Sequence, residues 1–274
     1  MNISRIKYVP HNKFQNIKGD IFKGKIISFS EYPSLLRIRD IFTSYFFSIF
    51  KMKFDVSLLK SFIIKNPADE NKLVYLQDKI RNCKLIRTSL MVFFKEINLN
   101  LKDLYIDEIT LRYSPKEGHF PSGKLKPTNA HRDTWASNIF HQINWWIPMH
   151  SVFSDNSIYI IPRYFKRKVD NNSKNWAFKK YKTTPGYPSV PTTDANFESH
   201  EKLNVELDSH EMLCFSGNHI HGSNVGRQLR FNIETRTVSS NDPKNFKIPM
   251  NIDSSCKIVK KNWFKNMVTG KCLG

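Results

Sequence analysis

Cysteine is scarce in this chain: four in 274 residues, at Cys83, Cys214, Cys256 and Cys272, far apart and with no C-x-x-C pair. That spacing argues against a zinc ribbon and against a disulfide scaffold. Glycine (10) and proline (13) are few and scattered, which excludes collagen-like and linker-dominated chains. Near the N-terminus the most apolar stretch is 41–50, flanked by Arg39, Asp40, Lys51 and Lys53. It falls well short of the roughly 20 residues needed to cross a bilayer. The opening residues, MNISRIKYVPHNKF, lack the apolar core of a signal peptide. A cytoplasmic protein with no membrane span is expected.

Acidic residues are also under-represented, 24 against 43 Lys and Arg, for a formal charge of +19. Such a field attracts anions, whether nucleic acid, phosphorylated metabolite or membrane surface. The lysines are dispersed, however, and arrive with much Asn, Ile and Phe, as coding bias would produce. No helix-turn-helix, zinc-finger or RNA-recognition pattern accompanies them, so nucleic acid is not the expected partner.

What is abundant is apolar and aromatic material: 40% hydrophobic residues, with 21 Phe, 10 Tyr and 5 Trp. That is ample for a packed core. Residues 1–33 read as irregular chain or short strands. From Ser34 to about Leu99 the spacing is helical, through Leu35, Leu36, Ile38, Ile41, Phe42 and Tyr45, then Leu73, Leu76 and Ile80, then Ile86, Leu90, Phe93 and Phe94. Three or four helices are expected, one starting at Pro67-Ala-Asp-Glu. Beyond that the pattern turns to strands: 106–113, 142–147, 157–161, 211–215 and 229–238. No internal repeat is visible. The expectation is a single α+β domain over 1–274, mainly helical over 1–100, with a β-barrel or sandwich core over 105–240.

The chemistry concentrates in two segments. In Ala130-His-Arg-Asp-Thr-Trp135 a strand would project His131 and Asp133 to one face, within reach of one ion. An H-x-D is weak alone; a solvated His-Arg-Asp turn would look the same. About ninety residues later, Cys214-Phe-Ser-Gly-Asn-His-Ile-His-Gly-Ser-Asn224 offers His219 and His221, followed by Arg227, Arg230 and Arg236. Two imidazoles and a carboxylate form the facial set that suits divalent iron and leaves three coordination positions open. An arginine further along would hold a distant carboxylate bidentately.

With Gln142-Ile-Asn-Trp-Trp-Ile-Pro148 added, these segments resemble the non-haem Fe(II)- and 2-oxoglutarate-dependent oxygenases of the phytanoyl-CoA dioxygenase-like superfamily. The resemblance is strongest to bacterial members with an H-R-D-T-W…Q-I-N-W-W pattern, over roughly 109–238. It implies a double-stranded β-helix (jelly-roll, cupin-like) core beneath an N-terminal helical layer. It implies iron on His131, Asp133 and His221, with 2-oxoglutarate and O2 as cosubstrates and a small-molecule substrate, anionic in one reading. Arg230 matches the cosubstrate's carboxylate anchor and Arg236 is the alternate. His219 is the alternate distal ligand, because it shares a strand face with His221. Gln142 and Asn144 share a face and are expected either to bind the cosubstrate or to pair across strands. Asp133 implies an oxygenase outcome, since related halogenases lack that carboxylate. Trp135 is placed near function, Trp145 and Trp146 in the core, and His141 and His150 as ordinary histidines. The competing reading is a cupin-like module that binds an anionic ligand without catalysis.

Overall fold

The long helices form where the sequence stacks apolar side chains three and four apart. In the computed structural model, residues 2–8, 16–62, 64, 66–117, 128–243, 253–256 and 259–274 are described. The chain begins β1 (Ser4–Lys7), α1 (Ile17–Phe22) and β2 (Ile27–Ser30). Four helices follow: α2 (Pro33–Phe50), α3 (Val56–Ser61), α4 (Pro67–Arg81) and α5 (Lys84–Glu96). Helix α2 buries Leu35, Ile38, Phe42, Phe46 and Phe50 along one stripe and stops at Lys51, whose φ of 57° is left-handed. Helix α4 starts as the sequence predicts. The Asn66 side chain accepts from Asp69 N, Pro67 occupies the first turn, and Asp69 and Glu70 sit at the positive end of the dipole. Helix α1 falls within 1–33, where the sequence suggests only irregular chain or short strands.

Strands then dominate: β3 (Leu104–Ile106), β4 (Thr110–Ser114), the short helix α6 (Asp133–Ser137), β5 (Ile143–Pro148) and β6 (Ile158–Ile161). After α7 (Phe178–Thr183) come β7 (Leu203–Asn204), β8 (Met212–Ser216), β9 (Ile220–Ser223), β10 (Arg230–Ser239) and β11 (Lys265–Asn266). The single strand expected over 106–113 is broken into β3 and β4. The interruption lets Asp107 turn back and donate its N–H to Arg236 O at 3.0 Å.

The large sheet runs β1-β2-β8-β5-β10-β3-β11, and β4 also pairs with β10. A small sheet runs β7-β6-β9. Among the described residues every strand pairing is antiparallel except β1 with β2. Alternation divides the large sheet cleanly. Ile143, Trp145, Ile147, Met212, Cys214, Phe231 and Ile233 pack under the helices, whereas Trp146, Leu213 and Phe215 pack with Ile158 and Ile160 of the small sheet. The helical layer thus covers one face, and the other faces the small sheet across this apolar cluster and the polar side chains of β10. Among the described residues no helix is long and apolar enough to cross a membrane.

Phe231 is fully buried, with the rings of Phe42, Phe46, Phe54, Phe62 and Tyr113 at centroid distances of 5.1–6.1 Å. Replacing it with Ala should cost about 3–5 kcal/mol, because the cavity left among five rings cannot easily collapse. Urea unfolding would show this as a lowered midpoint. A loss within the scatter of surface variants would mean that helices and sheet are not packed as described.

Candidate metal centre

His131 and His221 meet as a cross-strand pair. His131 N donates to His221 O and His221 N donates to His131 O, both at 3.0 Å, a two-bond antiparallel bridge extending the small sheet beyond β9. Residues paired in this way project to the same side, and the two imidazole centroids lie 4.2 Å apart. Asp133 does not lie on a strand, as the two-residue spacing suggested. The chain leaves the bridge at Arg132, which caps α6, and Asp133 is the first residue of that helix. A turn and not the strand pleat aims its carboxylate at the imidazoles.

The three ligand atoms lie within 4.8 Å of one another, and all three residues are buried. Asp133 Oδ1 is 3.9 Å from His131 Nε2, and Oδ2 is 3.6 Å from His221 Nε2. Each imidazole turns its other nitrogen to a backbone carbonyl: His131 Nδ1 donates to Asn129 O at 2.8 Å and His221 Nδ1 to His219 O at 3.0 Å. This assignment puts the protons on Nδ1 and leaves both Nε2 lone pairs facing Asp133, as a metal requires. Burial, helped by the neighbouring His221, pushes the His131 pKa down to about 3, so the ring is neutral near pH 7.

Asp133 is clamped from two sides. Arg236 reaches Oδ1 at 2.9 Å and Asn144 Nδ2 donates to Oδ2 at 2.5 Å. Burial alone would raise its pKa, but Arg236 and then His221 and His131 outweigh it and hold the group ionised. Gln142 Nε2 donates to Asn144 Oδ1 at 3.1 Å, so Gln142, Asn144 and Asp133 form a relay. Arg236 is held in turn by Asp107, 3.1 Å from its Nη1. Glu234 lies 3.7 Å from Arg236 and 2.8 Å from Arg112. Sequence reasoning missed Asp107, Arg112 and Glu234; the alternation of β4 and β10 hinted at the last two, whereas nothing local marks Asp107.

Arg230 is buried differently. It donates to Asn232 Oδ1 at 3.0 Å, Asn156 O at 2.9 Å and Ser223 Oγ at 3.1 Å, and its guanidinium lies 5.8 Å from the Trp146 ring centroid. No carboxylate among the described residues is within 4.0 Å of it. Arg230, the three ligand residues, Asn144, Trp146 and Ser223 all line one cavity of about 660 Å³.

His219 lies elsewhere. It is fully buried, stacks on Phe165 at 4.4 Å, and faces the carbonyls of Ser216 and Gly24 at 3.2 and 3.1 Å. Trp135 is not at the site either: it is buried and donates to Asp253 Oδ1 at 2.9 Å. The expectation that it sits near function gives way to a core role, because α6 turns its ring away from the cavity. Arg132 is no solvated turn residue. It is fully buried, paired with Asp253 at 2.9 Å, and donates to the carbonyls of Tyr164, Phe165, Arg167 and Asn218. His150 is an ordinary histidine, accepting from Phe231 N at 3.3 Å.

No protein-family model and no curated protein matches the chain. Among solved structures it is similar to EvdO2 from Micromonospora carbonacea var. aurantiaca complexed with 2-oxoglutarate, at 10% identity over 64% of this chain and 69% of that one, TM-score 0.40. EctD from S. alaskensis in its apoform matches at 12% identity over 85% and 79%, TM-score 0.44. AviO1 from Streptomyces viridochromogenes Tue57 matches at 9% identity over 84% and 99%, TM-score 0.41. These are likenesses of chain trace, and none decides what the site does.

The metal-free protein should separate ligands from neighbours. His221→Ala should abolish the visible absorption of bound Co(II), while His219→Ala should keep that absorption and lose roughly 1–3 kcal/mol of stability through a vacated buried hydrogen-bonding site. The reverse pattern would exchange the two roles.

Acid should destabilise the metal-free fold. Burial lowers His131 and His219 to about 3 and His150 to about 4, all below the unfolded value near 6.5. The unfolded chain therefore takes up protons first, and stability falls from about pH 6.5 downward, by about 1.4 kcal/mol per pH unit for each histidine. Asp107, raised to about 6 by burial, works in the opposite direction and offsets one of the three. Urea midpoints at about pH 7 and about pH 5 should differ accordingly, and His150→Gln should flatten the slope by one proton.

Proposed function

We propose that this chain is a non-haem Fe(II)- and 2-oxoglutarate-dependent oxygenase that hydroxylates a small-molecule substrate, releasing succinate and CO2. The observation that carries it is one cavity holding both a two-histidine, one-carboxylate set and a buried arginine with no carboxylate within 4.0 Å among the described residues. The donors fit the metal: two imidazoles and one ionised carboxylate suit divalent iron and leave positions open toward the cavity. The surroundings fit the cosubstrate, since a buried guanidinium without a counter-ion favours an anion beside it.

Bound there, iron and 2-oxoglutarate would supply the activation of O2 and the oxidative decarboxylation. The protein's own part is positional. Asn129 O and His219 O fix the two imidazole tautomers, while Arg236 and Asn144 fix the carboxylate. On this reading Arg230, with Ser223 beside it, receives the far carboxylate of the cosubstrate. Arg236 serves Asp133 instead of acting as the alternate anchor, and Asn144 and Gln142 orient the metal ligand before touching any cosubstrate. We read the two sheets, joined through the His131–His221 bridge, as a double-stranded β-helix. Residues 1–274 then form a single oxygenase domain, with its core over 105–240.

Anaerobic addition of Fe(II) and then 2-oxoglutarate should produce a visible metal-to-ligand charge-transfer band, and air should then yield succinate. Arg230→Gln should weaken 2-oxoglutarate binding at least about tenfold, because it removes a charge-assisted pair, with little change in Co(II) affinity. Binding of 2-oxoglutarate without any succinate would favour the non-catalytic module. A folded protein with no band would count against the iron centre itself.

A further inference from the structure

Two hollows meet at the metal ligand. The first, already described, holds His131, His221 and Arg230. The second, about 690 Å³, opens between the end of α4, the β3–β4 turn, α7 and Trp263. Asp133, Arg236, Arg112, Tyr181 and Lys182 line both. We propose that the second hollow receives the molecule to be oxidised, and that this molecule carries an oxyanion, carboxylate or phosphate, held by Arg112 and Lys182. This rests on the iron and 2-oxoglutarate reading and adds the substrate class.

Arg112 is the arginine with capacity to spare. Its Nε donates to Glu234 Oε1 at 2.8 Å, and among the described residues neither of its terminal amino groups has an acceptor. About a third of the side chain (32%) remains accessible. Arg132 and Arg236 are consumed by carboxylates and carbonyls, and Arg230 makes three bonds deep in the first hollow. Two parallel amino groups at the end of a guanidinium match an oxyanion bidentately, and Glu234 holds the fork in place.

Lys182 supplies the second charge. It comes from α7, and its ammonium lies over the rings of Phe178 and Tyr181, at 5.2 and 5.7 Å from their centroids. No carboxylate among the described residues lies within 4.0 Å of it. Phe178 also packs against Trp263, with centroids 5.0 Å apart, so the rim offers ring faces beside the cations. An unbranched acyl chain would leave the amino groups of Arg112 desolvated without a partner, an unfavourable arrangement. A compact acid satisfies them.

The test uses matched probes on the anaerobic Fe(II)- and 2-oxoglutarate-loaded protein: phenyl phosphate, phenylacetate and the neutral 2-phenylethanol, titrated by calorimetry. At least one acid should bind about tenfold or more tightly than the alcohol. Whether phosphate or carboxylate leads identifies which oxyanion the hollow accepts. Arg112→Gln should erase the preference, and Lys182→Ala, a surface change with little risk to folding, should reduce it about threefold. The charge-transfer band should persist in both variants. Equal affinity for acids and alcohol, or an undiminished preference in both variants, overturns the proposal. Failure of the wild-type protein to show the band at all would instead remove the iron reading beneath it.

Discussion

The register of β10 is the constraint on which the rest depends. Its alternate residues Phe231 and Ile233 enter the helix-facing core, while Arg230, Asn232, Glu234 and Arg236 face the interior. A slip of one residue would bury three charges among phenylalanines and expose the aromatic cluster to the cavity. Pairing on both edges, with β5 on one side and β4 then β3 on the other, prevents that. The same strand therefore fixes the helical layer and places the clamp on Asp133.

The interior it builds holds a balanced set of buried and half-buried ions. Arg112, Arg230 and Arg236 face Asp107, Asp133 and Glu234. Three of each sign leave no net charge, and on the proposed reading a divalent metal with a dianionic cosubstrate would add none. The partners are distributed unevenly, however. Among the described residues Arg236 lies within 4.0 Å of three carboxylates and Arg230 of none, so neutrality overall coexists with a local demand for an anion at one end. Buried charges are tolerated when paired and hydrogen-bonded, and here the pairing is incomplete where a ligand would sit.

Much of this was legible in the sequence because periodicity reports burial. The helices from Pro33 to Glu96 and the cores of β5, β6, β8 and β10 follow from apolar spacing alone. His131, Asp133 and His221 came from residue chemistry and motif order, and they do converge. Choosing His221 over His219 required more than parity, since the bridge to His131 is a long-range pairing that no local pattern encodes. Gln142 and Asn144 stand out as polar residues in an apolar strand, but their bonds to each other and to Asp133 depend on a helix folding across them. The same limit applies to Arg132 and Trp135, whose partner Asp253 lies more than a hundred residues away.

Arg132 also has a mechanical consequence. Its guanidinium ties the carbonyls of Tyr164, Phe165 and Arg167 to the backbone behind His131, and Thr193 N donates to Ala130 O at 3.3 Å on the far side. The chain between those two points, which carries α7, Tyr181 and Lys182, is therefore sewn down at both hems immediately beside His131. A pull on either end of that insert is taken up by these bonds before it reaches His131 or Asp133.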